Sequence, residues 1–217
     1  MAAARELVIA DEPAAWARLG FAPGGDGAFA LGGLRVRLAG RGAGRGVVEL
    51  RIDRLAVERP DGLPIVAARV RWAAAAEEGR PVSAGGDLHG PAGGGPVASS
   101  HPNGASAIDH AVVFTDDRDR SAGALAAAGG DERRRGDPPE LPAPMAFVRF
   151  GELIVEVAQA GGPARFWGLT IMVPDLDALA GPLLGAARPA VQPGRRIATV
   201  TRAAELSVAL ALITPRG

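Results

Sequence analysis

Residues 107–120, AIDHAVVFTDDRDR, decide the fold, because their pattern returns later in the chain. The run IDHAVVF is rich in β-branched residues and predicts a strand, and the aspartates after it favour the start of a short helix. Residues 167–179, WGLTIMVPDLDAL, have the same order, and a shift of 58 residues (175 minus 117) lays Asp117 on Asp175. The sequence therefore predicts an internal repeat of a strand followed by a capped helix.

Each copy continues with further strands. MAFVRF and ELIVEVA, residues 145–158, predict two strands in the first copy, and RRIATVT and LSVALALI, residues 195–213, predict two in the second. A shift of 53 residues (205 minus 152) lays Glu152 on Glu205. PDLDALAGPLLG, residues 174–185, is the predicted helix of the second copy. The second half of the chain is therefore predicted to contain two βαβββ-like units.

Fainter copies of the same unit lie upstream. ELVIADEPAAWARLGF, residues 6–21, has the strand, the aspartate and a short helix, and GVVELRIDRL, residues 46–55, starts another unit. Pro60 and Pro64 allow that second upstream unit at most a stub of helix. The sequence thus predicts four units, two complete and two reduced.

A change in composition separates the two halves. Apolar periodicity disappears over residues 72–106, where Gly, Pro, Ala and Ser dominate. We therefore predict a reduced domain over residues 1–72, a Gly/Pro/Ala-rich linker or loop over 73–104 and a complete domain over 105–217.

The composition excludes several kinds of chemistry. Lys+Arg and Asp+Glu number 24 each, so no net charge attracts nucleic acid or an anionic membrane. Every basic residue is Arg, and Cys and Tyr are absent, which removes lysine Schiff bases, thiol nucleophiles and tyrosine acids. No apolar run approaches the roughly 20 residues of a membrane span, and the first residues lack the order of a secretory signal. A cytoplasmic protein with neither a nucleic-acid nor a membrane partner is expected.

The segments IDHAVVFTDDRDR, RFGELIVEV, WGLTIMVPDLDAL and QPGRRIATV resemble the vicinal oxygen chelate superfamily, which includes glyoxalase I, bleomycin-resistance proteins and extradiol dioxygenases. The likeness is greatest to uncharacterised glyoxalase-like proteins of actinobacteria, in which HPNG before IDH also occurs. It covers residues 101–217 well and 5–70 weakly. The resemblance implies an α+β fold of paired βαβββ units that form open cup-shaped sheets, in two halves of which the N-terminal one is reduced.

The resemblance also implies where a metal would bind. The superfamily's ligands come from the first strand of each unit, usually His or Gln, and from the last strand, usually Glu. His110 and Glu156 match these places in the third unit. In the fourth unit Gly168 stands at the first-strand place and Ala209, or Ala211 in a shifted register, at the last-strand place, and neither residue type has a ligating side chain.

Two protein ligands are fewer than the three that a catalytic metal usually takes. The sequence therefore favours a site without a cofactor. The alternative is a divalent ion (Fe, Mn, Ni, Co or Zn) held by His110 and Glu156, with a third ligand from His101, Glu152 or a partner chain.

Without a metal, three interpretations of His110 and Glu156 remain open. They can form an acid-base dyad that moves a proton on a carbon acid or enol, contact a ligand without chemistry, or satisfy each other inside a polar cavity.

Four further residues are candidates for ligand binding. Alternation sends either Arg195 or Arg196 into the cup, where the guanidinium could clamp a carboxylate, and we assign Arg196. Arg149 and Trp167 are the next candidates for ligand contacts; the alternative is that they only pack against neighbours or lie on the surface. His101 in HPNG is the fourth candidate.

The predicted function is the binding of a small organic molecule in the C-terminal cup, with lyase- or isomerase-type acid-base chemistry if the protein is an enzyme. A metal-dependent isomerase, lyase or dioxygenase is the first alternative, and a non-catalytic drug- or metabolite-sequestering protein is the second. A monomer with internal pseudo-symmetry and a homodimer both agree with the sequence.

Overall fold

The structure, a computed structural model, describes residues 1–68, 101–139 and 141–216. Two mixed β-sheets and two short α-helices make up the secondary structure of these residues. The helices are α1 (Pro13–Ala17) and α2 (Arg118–Ala127), and the 3-10 helices are Arg41–Ala43, Pro60–Gly62 and Arg202–Ala204. The strands of the N-terminal half are β1 (Ala3–Ile9), β2 (Ala28–Leu31), β3 (Leu34–Leu38), β4 (Val47–Asp53) and β5 (Ile65–Ala67). Those of the C-terminal half are β6 (Ala107–Thr115), β7 (Asp131–Gly136), β8 (Met145–Phe150), β9 (Leu153–Gln159), β10 (Arg165–Met172), β11 (Arg188–Pro189), β12 (Arg196–Thr199) and β13 (Ala209–Ile213).

The C-terminal half forms an eight-stranded sheet in the order β11-β12-β13-β10-β6-β9-β8-β7. In each unit the last strand lies parallel to the first, β9 beside β6 and β13 beside β10, and the two first strands pair antiparallel at the centre. The two units are thus joined through their first strands into one sheet. This arrangement confirms the fold class predicted from the repeat.

Helix α2 begins where the sequence predicts. The side chain of Asp117 accepts a hydrogen bond from the backbone N–H of Arg120, which satisfies one of the free donors of the first turn. Gly129 follows the helix with a φ of +104°, which a residue with a side chain rarely adopts. Asp117 is thus a helix cap, as its repetition at Asp175 suggested.

The predicted helix over residues 174–185 is wrong. Turns and bends occupy this segment, where the Asp175 carboxylate accepts from the N–H groups of Asp177 and Ala178. Gly181 and Pro182 follow one another in its middle. Glycine disfavours a helix through its backbone entropy, and proline clashes with the preceding turn, so the capped turn is not continued.

The N-terminal sheet, in the order β2-β3-β1-β4-β5, is a shortened version of the same design. Its central strands β1 and β4 pair antiparallel, as β6 and β10 do. The first unit contains β1, α1, β2 and β3. Within the described residues, the second unit contains only β4, the 3-10 helix Pro60–Gly62 and β5. The predicted reduction of this half and the stub of helix at Pro60 are confirmed.

The two halves share one hydrophobic core. It runs from Leu7 and Ile9 of β1 to Leu169 and Ile171 of β10, and hydrogen bonds cross between the halves at several points. Most of the predicted linker, residues 73–104, lies outside the described residues. Its last four residues, 101–104, are described and pack against the N-terminal half.

Asp11 is a buried carboxylate that links the two halves. Its carboxylate is completely buried and accepts hydrogen bonds from the Trp16 indole N–H (3.1 Å) and from the backbone N–H of Ser207 (2.6 Å). We expect Asp11→Ala to lower the free energy of unfolding by about 2–4 kcal/mol, because the buried Trp16 N–H and the partly buried Ser207 N–H both lose their acceptor. Urea denaturation followed by tryptophan fluorescence measures this change.

Asp175→Ala is the matched control, since that carboxylate caps an exposed turn. We expect it to lower the free energy of unfolding by about 1 kcal/mol or less. Equal losses in the two variants would contradict the assignment of Asp11 as a buried link between the halves.

Candidate functional site

A cleft of about 620 Å³ lies on the face of the eight-stranded sheet opposite α2. Phe147, Ile154 and Met172 supply its apolar wall, and Asp109, His110 and Glu156 supply its polar floor. Small-molecule sites usually combine an apolar lining with a few converging polar groups. A second cavity of about 380 Å³ lies between the halves. Among its lining residues in the described part of the chain only Arg18 is titratable, and its guanidinium already binds Ala204 and Glu205.

A β-bulge brings two adjacent residues to the cleft. In the pairing of β6 with β10, His110 is opposite Thr170 and Ile108 is opposite Ile171, so Asp109 is an extra residue without a partner. A bulge interrupts the alternation of side chains between the two faces of a sheet. Asp109 and His110 therefore line the same cleft although they are neighbours in sequence.

Asp109 orients the imidazole of His110 and is itself held by a buried arginine. His110 Nδ1 lies 2.8 Å from Asp109 Oδ2, and Arg195 Nη2 lies 2.6 Å from Asp109 Oδ1 in an ion pair without hydrogen-bond geometry. Arg195 is 4% exposed and donates from Nε to the Thr214 carbonyl (2.7 Å) and from Nη1 to Gln192 Oε1 (2.9 Å). Arg195, Asp109 and His110 thus form one chain of contacts.

The second ring nitrogen of His110 lies near a hydroxyl and a carboxyl group from the two neighbouring strands. Nε2 lies 2.9 Å from Thr170 Oγ1 and 3.8 Å from Glu156 Oε2. Because an ionised Asp109 accepts the Nδ1–H, the neutral imidazole has its lone pair on Nε2. This is the arrangement of an oriented general base with a carboxyl group beside it.

The two carboxyl groups differ in acidity. Burial works against ionisation of Asp109, but the contacts with His110 and Arg195 outweigh it, so the pKa of Asp109 lies below its ordinary value. Burial raises the pKa of Glu156, the His110 charge opposes this, and the Asp109 charge adds to it. Two carboxyl groups whose pKa values are moved apart can take different roles, one as a permanent anion and one as a proton carrier.

The residues present do not fit the divalent metal that the resemblance implies. Gly168 pairs with Ala209 and Thr170 pairs with Ala211, so both registers of the fourth unit place alanine beside the first strand. A Cβ at Gly168 would lie 2.7 Å from the backbone oxygen of Ala209, so this position excludes a ligating side chain. Nowhere in the described parts of the chain do three or more His, Cys, Asp or Glu side chains form a group that could hold a metal.

Two predicted ligand contacts lie outside the cleft lining. His101 is buried in the N-terminal half, where Nδ1 accepts from the Ala22 N–H (3.1 Å) and Nε2 lies 2.9 Å from the Ala30 carbonyl. Arg149 makes an ion pair with Asp131 at the sheet edge (3.1 Å). The structure does not bring either residue to His110.

The remaining two candidates are also absent from the cleft lining. Trp167 is 48% exposed and stacks on Phe114, with 4.8 Å between ring centroids. Arg196 lies exposed in a bidentate ion pair with Asp177 (2.6 and 2.9 Å). Of the neighbours Arg195 and Arg196, one does turn inward, as the alternation of side chains along a strand predicts. The inward residue is Arg195.

Sequence reasoning missed Asp109 and Thr170, and of the two neighbouring arginines it assigned Arg196 instead of Arg195. Asp109 did carry a signal. Strict alternation would place it on the same face as the fully buried Ala111 and Val113, and a carboxylate is costly in an apolar core. An aspartate on the apolar face of a predicted strand thus indicates a bulge. We see no comparable signal for Thr170.

Fold and site together define a protein of paired βαβββ units with a polar cleft in its complete half. No protein-family model matches the chain, and no curated protein sequence matches it. Solved structures similar to it include methylmalonyl-CoA epimerase from Mycobacterium tuberculosis (TM-score 0.42, 15% identity, 51% of this chain and 88% of that chain). A Streptomyces coelicolor methylmalonyl-CoA epimerase variant in complex with 2-nitronate-propionyl-CoA gives a TM-score of 0.41 at 16% identity, over 51% of this chain and 97% of that chain. A hypothetical protein from Bacillus halodurans gives a TM-score of 0.42 at 13% identity, over 51% of this chain and 94% of that chain.

These likenesses do not bear on function. The strand order itself is the paired βαβββ order that the vicinal oxygen chelate resemblance implies. The closer likeness to actinobacterial glyoxalase-like proteins stays a prediction. None of the helices in the described ranges is long and apolar enough to cross a bilayer.

The buried pair of Arg195 and Asp109 gives a stability prediction. We expect Asp109→Asn to lower the free energy of unfolding by about 3–5 kcal/mol at pH 7, because it leaves a buried guanidinium without a counter-charge. The folded-state pKa of Asp109 is lowered, so the stabilisation is present above pH 3.8 and is lost as the pH falls through the folded-state pKa. Denaturant titrations between pH 3 and pH 7 measure the difference.

Asp177→Asn removes the carboxylate of an exposed aspartate–arginine pair and is the control. It should cost less than about 1 kcal/mol. A cost as small as this for Asp109→Asn would refute a buried ionic link.

The raised pKa of Glu156 predicts a pH dependence of stability opposite in sign to that of Asp109. Ionisation of this carboxyl is more costly in the folded than in the unfolded protein, so wild-type stability falls as the pH rises from 4.5 through the raised pKa. Since Gln cannot ionise, the stability of Glu156→Gln relative to wild type should increase over the same interval and then level off. Thermal denaturation across a pH series measures it, and a flat or falling difference would contradict the raised pKa.

Proposed function

We propose that the cleft binds a small organic carbon acid and that His110 and Glu156 catalyse a metal-independent proton transfer on it. The observation that carries this proposal is the position of His110. Asp109 holds one ring nitrogen at 2.8 Å, and the other lies 3.8 Å from Glu156; both His110 and Glu156 line a cleft large enough for a small molecule.

The proton balance closes within these groups. His110 Nε2 takes a proton from a carbon next to a carbonyl; the C–H electron pair forms a C=C bond and the carbonyl π pair moves to the oxygen, which gives an enolate. Protonated Glu156 gives its proton to the enolate at another atom, which yields the isomer. The imidazolium then returns its proton to the Glu156 carboxylate, a transfer that the 3.8 Å separation permits with little movement.

Asp109 and Arg195 support this cycle without taking part in proton transfer. The ionised Asp109 stabilises the imidazolium that forms when His110 takes the proton. Arg195 keeps Asp109 ionised and fixed, since its other donors are bound to Thr214 and Gln192. Asp109 and Arg195 are therefore positioning residues.

A non-catalytic binding protein is the second candidate, and one contact favours it. Thr170 Oγ1 lies 2.9 Å from His110 Nε2, so both ring nitrogens have partners before a ligand enters. In the catalytic case the hydroxyl turns away as the ligand binds. In the non-catalytic case it stays, and the imidazole contributes polarity alone.

Hydrogen-deuterium exchange tests the proposal without a known substrate. Protein in D2O is mixed with 2-oxo acids, 1,3-dicarbonyls and aryl ketones, and proton NMR follows the loss of the acidic C–H signal. We expect wild-type exchange on at least one compound, and its loss by about 100-fold or more in His110→Gln and Glu156→Gln. Affinity for that compound should change by less than about 5-fold.

Glu58→Gln, an exposed substitution in the N-terminal half, is the matched control and should exchange like wild type. Binding without exchange in wild type would favour the second candidate. Exchange unaffected by His110→Gln would exclude His110 as the base. Near-stoichiometric Fe, Mn, Ni, Co or Zn in the purified protein, lost in His110→Ala, would replace the proposal by the metal-dependent alternative.

A further inference from the structure

The cleft is surrounded by arginines from both of its sides. Arg133 and Arg134 come from β7, the edge strand of the third unit, and Arg195 and Arg216 come from the fourth unit. His110 and Glu156 lie on the central strands between these two sides. The positive groups thus flank the proposed acid-base pair.

A second bulge places two consecutive arginines on the cleft. In the pairing of β7 with β8, Glu132 is opposite Val148 and Arg134 is opposite Phe147, so Arg133 is an extra residue. As at Asp109, the bulge interrupts alternation and lets neighbouring side chains line one cavity.

On the opposite side, Thr214 fixes the course of the last residues. Its carbonyl accepts from Arg195 Nε (2.7 Å), and its hydroxyl accepts from the Arg196 backbone N–H (2.9 Å). Arg216 follows two residues later and lines the cleft. The contacts that hold Asp109 therefore also keep Arg216 close to the cleft.

The positive charges at the cleft exceed the negative ones. Arg195 is neutralised by Asp109, and Arg133 makes a half-exposed ion pair with Asp131 at 3.0 Å. No acidic side chain in the described ranges pairs with Arg216. The lining therefore carries, at Arg216, a positive charge that neither of these two ion pairs compensates.

We infer that the ligand of this cleft is an anionic carbon acid, whose carboxylate or phosphate is bound by Arg216 together with Arg133. This inference rests on the proposed function, since it places the acidic C–H of the same molecule at His110 Nε2. Guanidinium groups bind carboxylates and phosphates with two parallel hydrogen bonds, which fixes orientation as well as position. An excess of positive charge at a cleft also raises the local concentration of an anionic substrate.

Two pairs of matched probes test the inference by isothermal titration calorimetry. Phenylpyruvate is compared with its neutral methyl ester, and dihydroxyacetone phosphate with neutral dihydroxyacetone. We expect the wild-type protein to bind at least one anion about 10-fold or more tightly than its neutral counterpart. The pair that shows this preference tells whether a carboxylate or a phosphate is recognised.

The arginine variants assign the preference to the cleft. Arg216→Gln should weaken binding of the preferred anion about 10-fold, and Arg133→Gln combined with Arg216→Gln should weaken it further. Neutral probes should bind these variants within about 2-fold of wild type. Arg45→Gln removes an exposed arginine of the N-terminal half and should leave all four affinities unchanged.

Equal affinity for anion and neutral counterpart, equal losses for both in Arg216→Gln, or no saturable binding of either anion would overturn the inference. Failure of the proposed function looks different. In that case the anion preference depends on Arg216, but no deuterium exchange occurs in wild type. If exchange depends on His110 while the neutral probes bind as well as the anions, the proposed function stands and this inference falls.

Discussion

The antiparallel pairing of β6 with β10 is the interaction on which the C-terminal half depends. It joins the first strands of two repeated units, so it fixes the order of all the other strands in the sheet. The same pairing contains the bulge at Asp109, which turns Asp109 and His110 towards one cavity. Strand pairing and site geometry are therefore one constraint, and a change of register at Asp109 would alter both.

Electrostatics keeps this arrangement in place. A guanidinium that is removed from water destabilises a fold unless it has a counter-charge, so buried Arg195 depends on the partly buried carboxylate of Asp109. The imidazole of His110 then takes its orientation from Asp109. The opposite strand contributes shape instead of charge, because Gly168 is too close to Ala209 for any side chain.

The sequence predicted the repeat, the fold class and the reduced N-terminal half, because these depend on local patterns of apolar residues, aspartate caps and prolines. It failed over residues 174–185, where a capped start is present but Gly181 and Pro182 prevent a helix from continuing. It also named His110 and Glu156, which the structure places 3.8 Å apart on neighbouring strands. Whether they do chemistry together stays a prediction.

The residues around His110 could not be predicted in the same way. Alternation assigns every second side chain of a strand to one face, and an extra residue reverses that assignment from its position onward. Asp109 and Arg133 are such residues. The sequence by itself determined which units exist and which of them carry polar groups. Only the tertiary structure decided which groups meet, because bulges and strand register depend on the partner strand.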